Sequence, residues 1–261
     1  MVKKIANAKK IISCDENQNI RELFKIFLNN YRRVPVTGDG EIKGMVCLTD
    51  LLDYLGAGER HQFFLDSKSP LDVSIKKIMI GNPYIIKAGM KPKGIIKIFK
   101  KTGRGAYPVV SGKKLTGMIT EWDILNIVKN EVSNLNVGDI MSTKPFTVKK
   151  NDTIFDASKM MVKGGFRRLP IVENGFLLGI ITPSDILYHL YSKNKVFSLR
   201  KDKILIKQIM RKNVLSARPD TGIGKIMNFM IRRKIGGLPV TEDRELLGII
   251  TERDIVNLVN I

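Results

Sequence analysis

Cysteine and histidine are scarce in this chain. Its 261 residues include two cysteines, Cys14 and Cys47, and two histidines, His61 and His189. Two cysteines exclude a disulfide-stabilised scaffold and a four-cysteine zinc site, and the histidines lack the spacing of a metal-binding pair. The sequence also contains no Ser/His/Asp set and no phosphate-binding Walker loop. We therefore expect no metal, no required cofactor, no catalytic residue and no enzymatic activity.

Acidic residues and long apolar runs are also few. The chain has 45 Lys and Arg against 25 Asp and Glu, which gives a net charge of +20. No apolar run approaches the roughly 20 residues of a membrane span, and the first residues lack the apolar core of a signal peptide. We expect a cytoplasmic protein. Its excess charge favours a nucleic acid, a membrane surface or small anions as partners, or else reflects a lysine-rich proteome.

A pattern of proline, glycine and aspartate recurs four times. In each copy a glycine follows the proline by nine residues, and an aspartate follows the glycine by six. The prolines are Pro35, Pro108, Pro170 and Pro239, the glycines are Gly44, Gly117, Gly179 and Gly248, and the aspartates are Asp50, Asp123, Asp185 and Asp254. Identical offsets in four copies indicate an internal repeat.

Each repeat predicts a β-α-β-β-α unit. In the first repeat the apolar face of an amphipathic helix comprises Ile20, Leu23, Phe24, Phe27, Leu28 and Tyr31. In the third repeat we expect Asn151 or Asp152 to cap the first helix and Gly164-Gly165 to end it. A single unit leaves an apolar face uncovered. We therefore predict repeats at about 1–58, 72–133, 134–193 and 203–261, paired into domains 1–133 and 134–261.

The repeated motifs resemble those of the CBS domain family. The resemblance rests on the pairs Ile78-Met79, Ile140-Met141 and Ile209-Met210, the hydrophobic-Pro-hydrophobic strands, the Gly-Met/Ile-Ile-Thr strands and the Thr-x-x-Asp helix starts. It covers nearly the whole chain. It implies an α+β fold in which the four repeats form two Bateman modules within a flat disk. Stand-alone archaeal four-repeat proteins and the γ subunit of the AMP-activated protein kinase are similar.

The same resemblance implies a function. Proteins of this family usually sense or regulate, and bind AMP, ADP or ATP in clefts between paired repeats. S-adenosylmethionine and methylthioadenosine are alternative ligands, and a nucleic acid bound to the basic surface is a third alternative. A regulated protein is the expected macromolecular partner, and modules of this family commonly form homodimers.

The Thr-x-x-Asp motif has two interpretations. A threonine followed three residues later by an acid is a capping box at a helix start. The family resemblance implies instead that the carboxylate accepts hydrogen bonds from the two hydroxyls of a ribose. The residues concerned are Thr120 and Asp123, Thr182 and Asp185, Thr251 and Asp254, and Asp50, which has Cys47 in place of threonine. Both roles are compatible.

Arginine precedes the proline only in the odd repeats. Arg32-Arg33 and Arg167-Arg168 occupy these positions, whereas Gly105-Ala106 and Gly236-Gly237 occupy them in the even repeats. The resemblance implies clefts that pair Asp123 with Arg32 and Asp254 with Arg167, each arginine binding a phosphate. Two further clefts pair Asp50 with Gly105 and Asp185 with Gly236, the latter with Arg211 as its cation. Arginines of both modules could also converge at the centre. The alternative to phosphate binding is that these arginines are solvent-exposed residues at the start of a strand.

The extended segment before each first helix is expected to line an adenine slot. The residues at the matching positions are Ile12, Ile85, Thr147 and Ser216. They are also compatible with ordinary strand residues.

Overall fold

The computed structural model describes residues 11–129, 134–192, 199–201 and 203–259. Repeats 1 and 2 contain β1 (Cys14–Asp15), α1 (Ile20–Leu28), β2 (Arg33–Gly38), β3 (Glu41–Cys47), α2 (Leu48–Leu52), α3 (His61–Leu65), β4 (Ile80–Gly81), β5 (Ile86–Lys87), α4 (Pro92–Thr102), β6 (Ala106–Ser111), β7 (Lys114–Thr120) and α5 (Glu121–Val128).

Repeats 3 and 4 follow the same order of elements. They contain α6 (Val137–Ile140), α7 (Ile154–Gly164), β8 (Leu169–Glu173), β9 (Phe176–Ile181), α8 (Pro183–Ser192), α9 (Ile223–Arg233), β10 (Gly237–Glu242), β11 (Glu245–Thr251) and α10 (Glu252–Leu258). The predicted α+β class and the β-α-β-β-α unit are confirmed. The first strand of these two repeats is reduced to single bridges, Val148 with Ile171 and Ala217 with Val240.

The local predictions hold with two corrections. Helix α1 buries Ile20, Leu23, Phe24 and Phe27, but it ends at Leu28, so Tyr31 follows the helix and is exposed. The prediction that Asn151 or Asp152 caps α7 is wrong. Thr153 is the cap and accepts a hydrogen bond from the backbone N–H of Asp156, while Asp152 accepts one from Lys149. At the other end Gly165 adopts φ 68°, as expected of a terminating glycine.

The β-strands join repeat 1 to repeat 2 and repeat 3 to repeat 4. Their hairpins meet edge to edge at Glu41 and Lys114 in one sheet, and at Phe176 and Glu245 in the other. These strand contacts occur within the predicted domains 1–133 and 134–261, but they do not test that division. The boundary after residue 133 falls beside residues 130–133, outside the described part of the chain, and the exact division stays a prediction.

The helices pack between different pairs of repeats, the first with the third and the second with the fourth. One apolar core combines repeats 1 and 3, with α1 and α2 packed against α7 and α8. A second core combines repeats 2 and 4, with α4 and α5 packed against α9 and α10. Burial of each aliphatic side chain contributes about 1.5–3 kcal/mol. The repeats therefore form a closed ring in the order first, second, fourth, third.

The glycine that recurs at the same place in each repeat has a packing explanation. The segments that lead into repeats 2, 3 and 4 each cross the second hairpin strand of a neighbouring repeat at its glycine. A Cβ atom on Gly248 would lie 2.7 Å from the carbonyl oxygen of Ser142 and 2.8 Å from the sulfur of Met141. Gly44 meets Met79 and Ile80 in the same way, and Gly179 meets Met210 and Arg211. The glycine and the Ile-Met pair thus form one contact between paired repeats.

We predict that Gly248→Ala lowers the free energy of unfolding by about 1–3 kcal/mol, because the added methyl group overpacks this contact. The matched control is Gly224→Ala in α9, where an added Cβ meets nothing within 4 Å. This change should leave stability unaltered or raise it by about 0.5–1 kcal/mol. Urea denaturation of both variants measures the difference. Equal stability of the two variants would contradict the packing role of Gly248.

Candidate ligand-binding site

A cavity of about 650 Å³ opens at the centre of the ring. All four repeats contribute to its wall. Asp50 and Gly105 line it, and so do Asp254 and Arg167, whose part of the wall is called the Asp254 end. The wall also includes Arg32, Arg33, Arg168, Glu121 and Glu252. Two of the predicted pairings, Asp50 with Gly105 and Asp254 with Arg167, are thus brought together in one cavity. Its volume lies within the roughly 300–1,000 Å³ typical of small-molecule sites.

The aspartates of the even repeats each keep one carboxylate oxygen available. Oδ2 of Asp254 accepts hydrogen bonds from the backbone N–H of Thr251 at 2.7 Å and from its hydroxyl at 2.6 Å. Asp123 accepts the same two bonds from Thr120, both at 2.7 Å. Within the described residues, neither Oδ1 forms a hydrogen bond or ion pair with another residue. The motif therefore caps a helix and leaves an acceptor for a ligand.

The aspartates of the odd repeats have their second oxygen paired with arginine. Oδ1 of Asp185 accepts a hydrogen bond from Nε of Arg211 at 2.7 Å. Oδ1 of Asp50 lies 3.5 Å from Nη1 of Arg60. Arg211 thus occupies the second oxygen of Asp185, whereas Arg60 hydrogen-bonds Asp53 at 2.6 Å and only lies near Asp50. Both carboxylates have a cation beside them and are less suited than Asp254 to bind a ribose hydroxyl.

Two predicted pairings are not brought together in one cavity. Asp185 and Arg211 line a separate cavity of about 420 Å³ between α1 and α8, whereas Gly236 lines the central one. Arg32 lines the central cavity, but Asp123 does not. Part of the leading segment of repeat 1, residues 1–10, lies outside the described residues, so the structure does not show how that segment meets Asp123.

The alternation of arginine and glycine has a steric reason. A Cβ on Gly236 would lie 2.7 Å from Nη2 of Arg168 and 2.6 Å from Oε2 of Glu252. A Cβ on Gly105 would likewise collide with Arg33 and Glu121, and Nη1 of Arg33 donates a hydrogen bond to the carbonyl oxygen of Gly105 at 3.2 Å. The small residues of the even repeats therefore make room for the arginines of the odd repeats.

Glu121 and Glu252 were not predicted as site residues. Both open the last helix of an even repeat and both are buried, with 3% and 6% of their surface exposed. The matching residues of the odd repeats are Leu48 and Pro183. The acidic residue therefore occurs only in the even repeats, where glycine stands in place of the arginine of the odd repeats. This pattern is the signal in the sequence that could have identified Glu121 and Glu252.

The arginines of the centre repel one another. Burial, with a further contribution from Arg167, lowers the pKa of Arg33 to about 10 and that of Arg168 to about 9. Both side chains remain protonated at neutral pH. Seven cationic and four acidic side chains line the cavity in all. This excess of positive charge favours an anionic ligand.

Large apolar side chains are exposed one position before the predicted adenine residues. Tyr84, Phe146 and Leu215 occupy equivalent positions in repeats 2, 3 and 4 and are 58%, 57% and 51% exposed. Tyr84 and Phe146 line the central cavity, whereas Ile85 and Thr147 do not. Phe146 also packs on Phe166, with 4.4 Å between ring centroids. Tyr84 and Phe146 thus offer flat apolar surfaces to a planar ring in the cavity.

The remaining predicted residues lie away from the cavity wall. Ile12 is half-buried, and Ser216 is exposed and accepts a hydrogen bond from the hydroxyl of Thr241. In the part of the chain that the structure describes, no cluster of three His, Cys, Asp or Glu side chains could hold a metal ion. No helix among the described residues is long and apolar enough to cross a membrane.

Comparison with known proteins identifies the repeats. Residues 2–57, 75–130, 137–192 and 206–260 each match the family model described as the CBS domain. Protein MJ1225 of Methanocaldococcus jannaschii is 28% identical over 98% of this chain and 97% of its own length. Its crystal structure superposes with a TM-score of 0.91 over 98% of both chains, and it is described as a candidate archaeal homologue of g-AMPK.

Two other proteins are similar over most of the chain. A 33.4 kDa protein of the ribosomal RNA operon of Thermofilum pendens is 28% identical over 87% of this chain and 80% of its own length. A structure from Pyrococcus horikoshii superposes with a TM-score of 0.64 at 17% identity, over 98% of both chains. This last likeness concerns the fold alone.

The site predicts an unusual pH dependence of stability. Burial raises the pKa of the Asp254 carboxyl, although the hydrogen bonds from Thr251 and the charge of Arg253 oppose this effect. Because its pKa is higher in the folded than in the unfolded chain, the folded state binds the proton more readily. The charged carboxylate therefore costs stability above the folded pKa, and the cost disappears as the pH falls towards the unfolded value.

We expect Asp254→Asn to raise the melting temperature at about pH 7, and we expect the gain to shrink near about pH 4.5. The amide keeps one acceptor oxygen for Thr251, so most of the cap survives. Asp185→Asn is the matched control, since it loses the ion pair with Arg211 and should bring no gain. Differential scanning calorimetry of the three proteins at both pH values measures this. A loss of stability in Asp254→Asn at neutral pH would show that capping outweighs desolvation.

Proposed function

Because the chain belongs to the CBS domain family, we propose that it is a non-catalytic sensor protein that binds an adenosine nucleotide in the central cavity. Its occupied and empty states would be distinguished by a regulated partner protein. The adenosine ligand is implied by the family resemblance, and the geometry of the Asp254 end of the cavity is the observation that supports it. There an open carboxylate oxygen and two arginines line the same space.

The groups at this end match the parts of a nucleoside phosphate. Oδ1 of Asp254 can accept a hydrogen bond from a ribose hydroxyl. Arg167 and Arg168 present forked N–H donors, which suit a phosphate. Phe146 supplies an exposed aromatic face against which adenine can stack. The cavity therefore offers one suitable group for each of the three parts of AMP.

Charge distinguishes among the adenosine ligands. Seven cationic side chains against four acidic ones line the cavity, so a phosphorylated ligand is favoured by electrostatics. S-adenosylmethionine carries a positive sulfonium centre, and methylthioadenosine carries no charge. Neither would relieve the repulsion among the central arginines. We therefore favour AMP, ADP or ATP, with the two sulfur compounds as competitors to be tested.

The relative MJ1225 supports this proposal through its description as a candidate archaeal homologue of g-AMPK. It matches this chain over nearly its whole length, so the likeness covers all four repeats. A sensor role would use the ring of repeats. A ligand that contacts repeats 3 and 4 at once can change their relative position, and a partner can detect that change.

The first experiment is a calorimetric titration of nucleotide-free protein with AMP at physiological salt. We expect saturable binding, and we expect Asp254→Asn to weaken it about tenfold or more, because a ribose hydroxyl would lose its charged acceptor. Asp185→Asn is the matched control and should change the affinity less than about twofold, since Arg211 already occupies that carboxylate.

Two outcomes would contradict the proposal. The absence of binding heat from the folded protein with AMP, and likewise with ADP and ATP, would exclude adenosine phosphates as ligands. Equal losses in Asp254→Asn and Asp185→Asn would mean that the Asp254 end is not the principal site. A parallel titration with RNA and duplex DNA tests the alternative raised by the net charge of +20. Tight binding to either polymer that falls steeply with salt would favour that alternative.

A further inference from the structure

One buried carboxylate connects three of the four repeats. Glu121 lies at the start of α5 in repeat 2, and its side chain is 4% exposed. Its Oε2 accepts a hydrogen bond from Nη2 of Arg167 in repeat 3 at 3.3 Å. Its Oε1 accepts one from Nε of Arg253 in repeat 4 at 2.9 Å. Glu121 therefore links the domain of repeats 1 and 2 to the domain of repeats 3 and 4.

Arg167 has a second potential partner. It lines the central cavity together with Asp254, where a ligand phosphate is expected. Its side chain is 26% exposed, so an anion in the cavity can reach it. The contact of Arg167 with Glu121 is a single hydrogen bond near the upper limit of normal length. Arg253 holds the other oxygen of Glu121 by a shorter bond, so the carboxylate would remain paired if Arg167 turned away.

We propose that Glu121 is an internal competitor of the ligand phosphate for Arg167, so that binding at the Asp254 end of the cavity weakens the contact between the two domains. This inference rests on the proposed function. In the empty protein Glu121 holds Arg167 and thereby couples repeat 3 to repeat 2. In the complex the phosphate binds Arg167, and Glu121 keeps its hydrogen bond with Arg253.

The position of Glu121 gives the competition a further consequence. Asp123, the other aspartate with an open oxygen, lies two residues further along the same helix. The release of Arg167 from Glu121 therefore acts on the helix that carries Asp123. By linkage, a ligand at either aspartate would alter the affinity of the other to the same extent.

The test compares AMP with adenosine, which lacks the phosphate. In Glu121→Gln the carboxylate no longer competes for Arg167, so AMP should bind about fivefold or more tightly than to the wild type. Adenosine should bind with unchanged affinity, because it does not use Arg167. A purely structural role of Glu121 would alter both affinities together. Glu121→Asp, whose shorter side chain keeps the charge but retracts from Arg167, should raise the same ratio to a smaller extent.

Two controls separate competition from general electrostatics. Glu252→Gln removes one negative charge from the same cavity, at the matching position of repeat 4, and should raise the ratio of AMP to adenosine affinity much less. In an Arg167→Ala background, Glu121→Gln should have no effect on that ratio.

The outcomes distinguish this inference from the proposed function. If the wild type binds AMP but Glu121→Gln and Glu121→Asp leave the ratio unchanged, the competition is refuted and the binding function stands. An equal increase in Glu252→Gln would refute it as well, because the effect would then be one of net charge. If the wild type binds neither AMP nor adenosine, the proposed function fails and this inference fails with it.

Discussion

The mutual repulsion of the central arginines is the constraint around which the four repeats are arranged. Four arginines from the two odd repeats line one cavity, and burial together with Arg167 depresses the pKa of Arg33 and Arg168. Such an arrangement costs stability unless it is compensated. The buried Glu121 and Glu252 provide part of the compensation. The remaining excess of positive charge is what an anionic ligand would neutralise.

The ring places these charges together through two kinds of contact. The apolar cores join repeat 1 to repeat 3 and repeat 2 to repeat 4, and the arginines of repeats 1 and 3 line the same cavity. The second kind of contact is local, and it joins a leading segment to a hairpin strand at a glycine. Gly248 contacts Met141 and Ser142, and the same segment places Phe146 in the cavity wall. Stability and the geometry of the site therefore depend on the same close approach.

Much of this arrangement can be predicted from the sequence, because each structural feature of the unit recurs in several repeats. Four copies defined the β-α-β-β-α unit, the capping aspartates, and the alternation of Arg33 with Gly105 at matching positions. Arg211 was expected beside Asp185, but the ion pairs of Asp50 and Glu121 were not visible in the sequence. Arg60 approaches Asp50 from the connector between repeats 1 and 2, and Glu121 contacts Arg167 and Arg253 only when the four repeats are packed together. Contacts between distant segments leave no periodic signal.

The four aspartates show how a repeat can divide its roles. All four form the same hydrogen bonds at the start of a helix, so capping alone would maintain them. Their second oxygens differ. Arginine pairs with this oxygen in Asp50 and Asp185, whereas it has no such partner among the described residues in Asp123 and Asp254. A ligand at Asp50 or Asp185 would first have to displace an arginine. We therefore propose ligand binding at the even aspartates and a structural role in the ring for the odd ones.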